Sequence, residues 1–174
     1  NARVIISNND DNTYNTVLGY KAFTDTSGNA LGNVGADYNV AVGHEAMGTT
    51  ATTSTAERNV AVGYLSLRTM IDGDDNTAIG ANAATSLRSG VNNTVVGSGA
   101  FDAAANDESD NVVIGYGAMG AAKQDGTASA TDREVKQNVA IGTDALKSGI
   151  IGGTSHLEAN VAIGHQAMDG TGTA

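Results

Sequence analysis

NVAVGHEAM, at residues 39–47, returns almost unchanged as NVAIGHQAM at 160–168. The same phrase recurs elsewhere as NTVLGYKAF from Asn15, NVAVGYLSL from Asn59, NTAIGANAA from Asn76, NTVVGSGAF from Asn93, NVVIGYGAM from Asn111 and NVAIGTDAL from Asn138. RVIIS at 3–7 reads as a degenerate further copy. The repeat is therefore marked by Asn39 and Gly43, Asn59 and Gly63, Asn76 and Gly80, Asn93 and Gly97, Asn111 and Gly115, Asn138 and Gly142, and Asn160 and Gly164. Counting from Gly19, successive glycines lie 24, 20, 17, 17, 18, 27 and 22 residues apart. A fixed minimum with a variable excess is what a coil of constant core length carrying insertions produces. Repetition on this scale implies a solenoid.

Within a copy, apolar runs of four or five bounded by Gly and by Asn, Asp or Ser clusters read as short strands. Side chains alternate faces along a strand, so Val40 and Val42 share one face and Ala41 takes the other. The third residue after Asn is always aliphatic: Leu18, Val42, Val62, Ile79, Val96, Ile114, Ile141 and Ile163. If these form the core, burying each contributes roughly 1.5–3 kcal/mol. The opposite face holds Ala in five copies and Val17, Val95 and Val113 in the others, so both faces read as buried. The residues after Gly, HEAM for example, read as a second short strand with Ala46 and Met47 on opposite sides. The invariant Gly calls for positive φ or for close backbone approach. The leading Asn fits either a ladder of stacked amides or a turn residue satisfying its own backbone. The segments 83–90 and 143–149 have some helical character but are too short to stand alone.

Composition narrows the class. The chain has 174 residues, 4% aromatics, no Trp, no Pro, no Cys and 23 Gly. Its apolar residues are mostly Ala, Val and Ile, a vocabulary for a thin, tightly spaced β core. Without Cys there is no disulfide framework, thiol nucleophile or Cys-ligated metal. A formal net charge of −10 argues against nucleic acid as partner, because phosphate binding needs clustered Lys and Arg. No apolar run approaches the ~20 residues of a spanning helix, so membrane insertion is not expected. Residues 1–174 read as a single repeat domain with its core repeats at 15–168, and as a piece of a longer fibrous protein.

The pattern N-[VT]-[AV]-[VIL]-G-x-x-A, carried by the copies above over nearly the whole chain, resembles the trimeric β-roll repeats of bacteriophage tail fibres. It is similar also to the head repeats of trimeric autotransporter adhesins. The resemblance implies an all-β fold: a left-handed parallel β-roll, or β-solenoid, of about eight coils, assembled as a homotrimer. Adhesin heads have shorter and more uniform coils, so the swollen spacings here favour the phage fibre. Trimerisation also has an independent argument. A thin roll with two apolar faces leaves one exposed along its length, and such a stripe marks an interface that a closed symmetric assembly would bury.

The expected function is a structural and host-surface-binding segment of a virion tail fibre, working outside the cell. The alternative is the head of an adhesin on a bacterial surface, binding host or matrix polymers. Partners would be two further copies of the chain and a cell-surface polysaccharide or protein receptor. A glycan-degrading enzyme would need acidic pairs at a defined separation in a cleft, and an ice-binding solenoid would need a regular Thr array; neither pattern is visible. No catalytic residues, no cofactor site and no metal site are expected. His44 and His165 share one repeat position with Tyr20, Tyr64, Ala81, Ser98, Tyr116 and Thr143, which marks an exposed position rather than a ligand. The acidic turns at 8–12, 72–76 and 106–111 offer hard oxygens for calcium, against the plainer reading of solvated turns. Polar segments at 24–38, 48–58, 120–137 and 147–159 are either binding loops on a rigid scaffold or inert spacers.

Overall fold

A computed structural model describes residues 14–24, 35–48, 54–104, 106, 108–124, 135–147, 150–151 and 157–169. In chain order the strands are β1 (Thr16–Leu18), β2 (Val40–Val42), β3 (Val60–Val62), β4 (Thr77–Ile79), β5 (Thr94–Val96), β6 (Val112–Ile114), β7 (Lys123–Gln124), β8 (Val135–Lys136), β9 (Val139–Ile141), β10 (Ile150–Ile151), β11 (Leu157–Glu158) and β12 (Val161–Ile163). The eight three-residue strands, one per Asn…Gly copy, form a single sheet in the order β1-β2-β3-β4-β5-β6-β9-β12. Every pairing in it is parallel, and equivalent residues face one another without offset. Ala61 pairs with Ala78, and Ala78 with Val95. The chain is thus a parallel β-solenoid, and no helix occurs among the described residues.

The face that points inward is the one with Ala. Ala41, Ala61, Ala78, Ala140 and Ala162, with Val95 and Val113, are buried, while the flanking residues of each strand are only partly covered or exposed. The aliphatics at the third position are therefore outside, against the expectation that they fill the core; Ile79 is 41% exposed. At the middle of each described strand of this sheet the inward residue is Ala or Val.

The bulk of the core comes from the stretch after Gly. That stretch is a turn run, not the expected second strand. The second and fourth residues after Gly adopt left-handed φ: 52° at Glu45 and 49° at Met47, 56° at Leu65 and 48° at Leu67. This breaks the strand alternation, so Ala46 and Met47 are both buried instead of facing opposite sides. It also aims successive amides in opposite directions along the solenoid axis. Glu45 N–H donates to Tyr20 C=O in the preceding coil, and Met47 N–H donates to Ser66 C=O in the following one. Left-handed geometry costs a non-glycine residue about 1–2 kcal/mol, and these inter-coil bonds offset it. Volume is traded between positions. Where the fourth residue after Gly is small, as Ala84, the seventh is Leu87; where it is Phe101 or Met119, the seventh is Ala104 or Ala122. All six are buried. Such compensation keeps these coils close-packed, whereas the coil after Gly63 buries a large side chain at both positions, Leu67 and Met70.

The asparagines form a continuous ladder. Asn39 Oδ1 accepts from Asn59 N at 2.9 Å and from Asn59 Nδ2 at 3.2 Å. Asn59 Oδ1 in turn accepts from Asn76 N and Nδ2 at 2.9 and 3.0 Å, and the series continues through Asn93, Asn111, Asn138 and Asn160. The local-turn alternative is present as well, since Asn59 Nδ2 also donates to Glu57 C=O two residues back. The invariant glycines combine both reasons offered for them. Gly80 has φ 139°, and a Cβ there would lie 2.5 Å from the Gly97 carbonyl oxygen and 2.6 Å from its carbon.

Parts of the long inserts extend the stacking. β7 pairs in parallel with β10, and β8 with β11. These strands belong to the polar segments at 120–137 and 147–159, so those segments are in part structured extensions of the coil. The degenerate copy at 3–7 and much of the segments at 24–38 and 48–58 lie outside the described residues.

Candidate functional surfaces

Placing Ala inward leaves the outer face of the main sheet largely apolar along its length, with Thr16, Thr77 and Thr94 among the outward residues. Two residues of each strand point outward: Val60 and Val62 on β3, Thr77 and Ile79 on β4, Thr94 and Val96 on β5, Val112 and Ile114 on β6. Among the described residues nothing covers this stripe. Contiguous exposed apolar surface of this kind marks an interaction site.

Two columns of side chains border the stripe. On one side stand the residues that precede Asn, all with left-handed φ from 56° to 67°. Tyr14 and Tyr38 stack there at 4.9 Å with nearly parallel rings. Further along, Arg58 bonds Asp75 at 2.7 and 3.0 Å, which holds the Asp75 carboxyl below its usual range, and Asn92 bonds Asp110 at 3.0 Å. On the other side stand the residues that follow Gly. Tyr20, His44 and Tyr64 stack in succession, with centroids 5.1 and 5.3 Å apart. His44 is thus a member of an exposed aromatic column, as its repeat position implied. His165 is exposed at the same position far along the chain, and His156 lies outside the described residues.

The acidic turns divide in the same way. The turn at 72–76 is engaged by Arg58, whose guanidinium meets Glu57, Asp74 and Asp75. In the turn at 106–111 the Glu108 carboxylate is fully buried and accepts from Asn106 N at 2.7 Å. The turn at 8–12 lies outside the described residues. No group of three or more His, Cys, Asp or Glu able to hold a metal occurs among the described residues.

Among the described residues a recess of about 370 Å³ interrupts the turn side of the solenoid. It opens where two successive coils carry Gly at the second position after the invariant Gly. Gly99 and Gly117 stand there, whereas the other coils carry Lys21, Glu45, Leu65, Asn82, Asp144 and Gln166. Asp102, Asp144, Lys147 and Tyr116 line the opening. Asp144 Oδ1 is shut off from solvent, and Lys147 Nζ, at 2.8 Å, is its ionic partner. That contact raises the Lys147 pKa and keeps the ammonium charged. Burial pushes the Asp102 carboxyl up, against backbone N–H donors at Asp102 and Ala103 and the more distant Lys147 charge. The recess was not anticipated from the sequence. Its signal there is the break in one repeat column, two glycines in a position that elsewhere bears a side chain.

The repeat asparagines bond to one another along the ladder, and at Gly43, Gly63, Gly80, Gly97, Gly115 and Gly142 a Cβ would meet the backbone of the next coil. Compared with protein-family models, with curated proteins and with solved structures, the chain matches none.

Proposed function

We propose that this chain is a structural and host-surface-binding segment of a trimeric bacteriophage tail fibre. In this reading it is a left-handed roll of about eight coils, acts outside the cell and has no catalytic role. The observation that carries it is the unpartnered apolar face of the eight-stranded sheet. A monomer in water would leave Val and Ile exposed along its whole length; three copies around a common axis would bury the three faces together and leave the columns and inserts outward. Association would then be part of folding stability. The swollen coils with their side sheets β7–β10 and β8–β11 favour a fibre. The regular 17- and 18-residue coils between Gly63 and Gly115 would suit an adhesin head equally, and that is the second reading. The receptor is a cell-surface polysaccharide or protein, and the net charge of −10 argues against nucleic acid.

The test is sedimentation at micromolar concentration of the wild type and Ile79→Asp. Ile79 points outward, so the change leaves the coil interior untouched. The wild type should run as three chains, and the variant as a folded monomer. A wild type that is monomeric, folded and soluble would overturn the assembly.

A further inference from the structure

We propose that the recess at Gly99 and Gly117 is a saccharide-binding site that takes neutral or amino sugars and rejects acidic ones. The inference rests on the surface-binding part of the reading above and deepens it.

A pyranose presents an apolar C–H face and a rim of hydroxyls that both donate and accept. Its site needs a free aromatic face beside fixed acceptors and donors in a small concavity. Tyr116 supplies the face. It is 65% exposed, and its neighbours in the column after Gly are Ser98 and Thr143. Tyr20, His44 and Tyr64 lie against one another with tilted rings, whereas among the described residues no ring packs on Tyr116. An aromatic ring with an apolar body and a polar tip is well suited to such a half-wet surface. Gly99 supplies the concavity, while at Gly117 the Asp144 carboxylate takes the place a side chain would fill. A Cβ at Gly99 would meet only Asp102 Oδ2, at 3.9 Å, so the floor there is open space. A volume of about 370 Å³ falls in the range of small-ligand pockets. Asp102 supplies an acceptor for charge-assisted bonds from hydroxyls, Asp144 holds the Lys147 ammonium at 2.8 Å, and Lys147 and Asn82 supply donors. The charge count sets selectivity. Two carboxylates against one ammonium leave a net −1 from these groups, which repels uronates and favours uncharged or ammonium-bearing rings.

The experiment is saturation-transfer NMR on the whole chain with methyl glucoside, glucosamine and glucuronate as probes. Two variants borrow residues that the fold already holds at equivalent positions. Gly99→Asn fills the floor with the residue found at Asn82, where φ is 58° against 63° at Gly99. Tyr116→Ala removes the platform and leaves the residue found at Ala81, two column places earlier. The wild type should give signals from the ring protons of methyl glucoside and glucosamine at millimolar concentration, and none from glucuronate. Each variant should lose about tenfold or more in affinity while still unfolding in a single cooperative thermal transition. No signal from either favoured sugar, an equal signal from glucuronate, or undiminished binding in Gly99→Asn would overturn the proposal. If sugar binding fails while the chain still adheres to cells, this site is wrong and the fibre reading stands. If sugars bind to a chain that sediments as a monomer, the site stands and the fibre reading falls.

Discussion

Asn93→Ala should be among the most damaging single changes in the ladder. Asn93 is 1% exposed. Its Oδ1 accepts from Asn111 N at 3.1 Å and from Asn111 Nδ2 at 3.0 Å. Its Nδ2 donates to Asn76 Oδ1 at 2.9 Å, to Glu108 C=O at 2.7 Å and to Val91 C=O at 3.1 Å. Alanine removes all of these. Asn76 Oδ1 keeps its bond from the Asn93 backbone amide, and Asn111 Nδ2 keeps Val135 C=O. The Asn111 backbone N–H, buried at the start of β6, loses the acceptor it had. A stranded buried group costs about 1–3 kcal/mol and each of the four other lost bonds about 1 kcal/mol, so the total should reach about 5–7 kcal/mol. Asn160→Ala is the control. Asn160 is only partly covered and acts in the ladder as a donor to Asn138 Oδ1, so its loss should cost about 1 kcal/mol. Urea denaturation of the two variants at equal chain concentration compares them directly, since association contributes equally. The midpoint of Asn93→Ala should fall several times further than that of Asn160→Ala. Equal, small shifts would show that each Asn serves only its own turn and that the ladder carries no stability.

Two glycines of different kinds should separate under the same substitution. Gly80→Ala drives a methyl into the Gly97 carbonyl of the next coil and should cost well over 3 kcal/mol or prevent folding. Gly99→Ala meets open space and should cost only the left-handed backbone penalty, about 1–2 kcal/mol, as read from thermal unfolding. Ala140→Asp places a carboxylate at the inward position of β9, where the native residue is fully buried. It should cost several kcal/mol and yield aggregate or unfolded chains in sedimentation; a folded Ala140→Asp trimer would mean that this face is solvated. The Asp102 carboxyl is raised by burial, so the folded state holds its proton more tightly than the unfolded one. That contribution is full below the ordinary carboxylate range and is lost as pH rises through the native Asp102 value. Asp102→Asn should flatten that part of the stability–pH curve, measured by urea midpoints across mildly acidic pH.

The repeat alone determined that the chain is a solenoid and fixed its register. Asn and Gly recur with every strand because each meets its own equivalent in the next coil: the amide bonds to an amide, and the missing side chain faces a carbonyl. Such self-matching is visible in a sequence because it constrains identity at each copy. Three things were decided only by tertiary structure. The first is which strand face is the core. Alternation defines two faces but not their sense, and the inside of the strand took Ala or Val, while the core's bulk came from the turn residues after Gly. The second is the path after Gly. Met47, Leu67 and Phe101 have no intrinsic preference for left-handed φ, so a strand was the natural reading of HEAM; the turn forms because it turns these side chains inward and sends alternate amides to the coils on either side. The third is the recess. Gly99, Asp102, Gly117, Asp144 and Lys147 are spread over three coils, and stacking without offset brings them to one place.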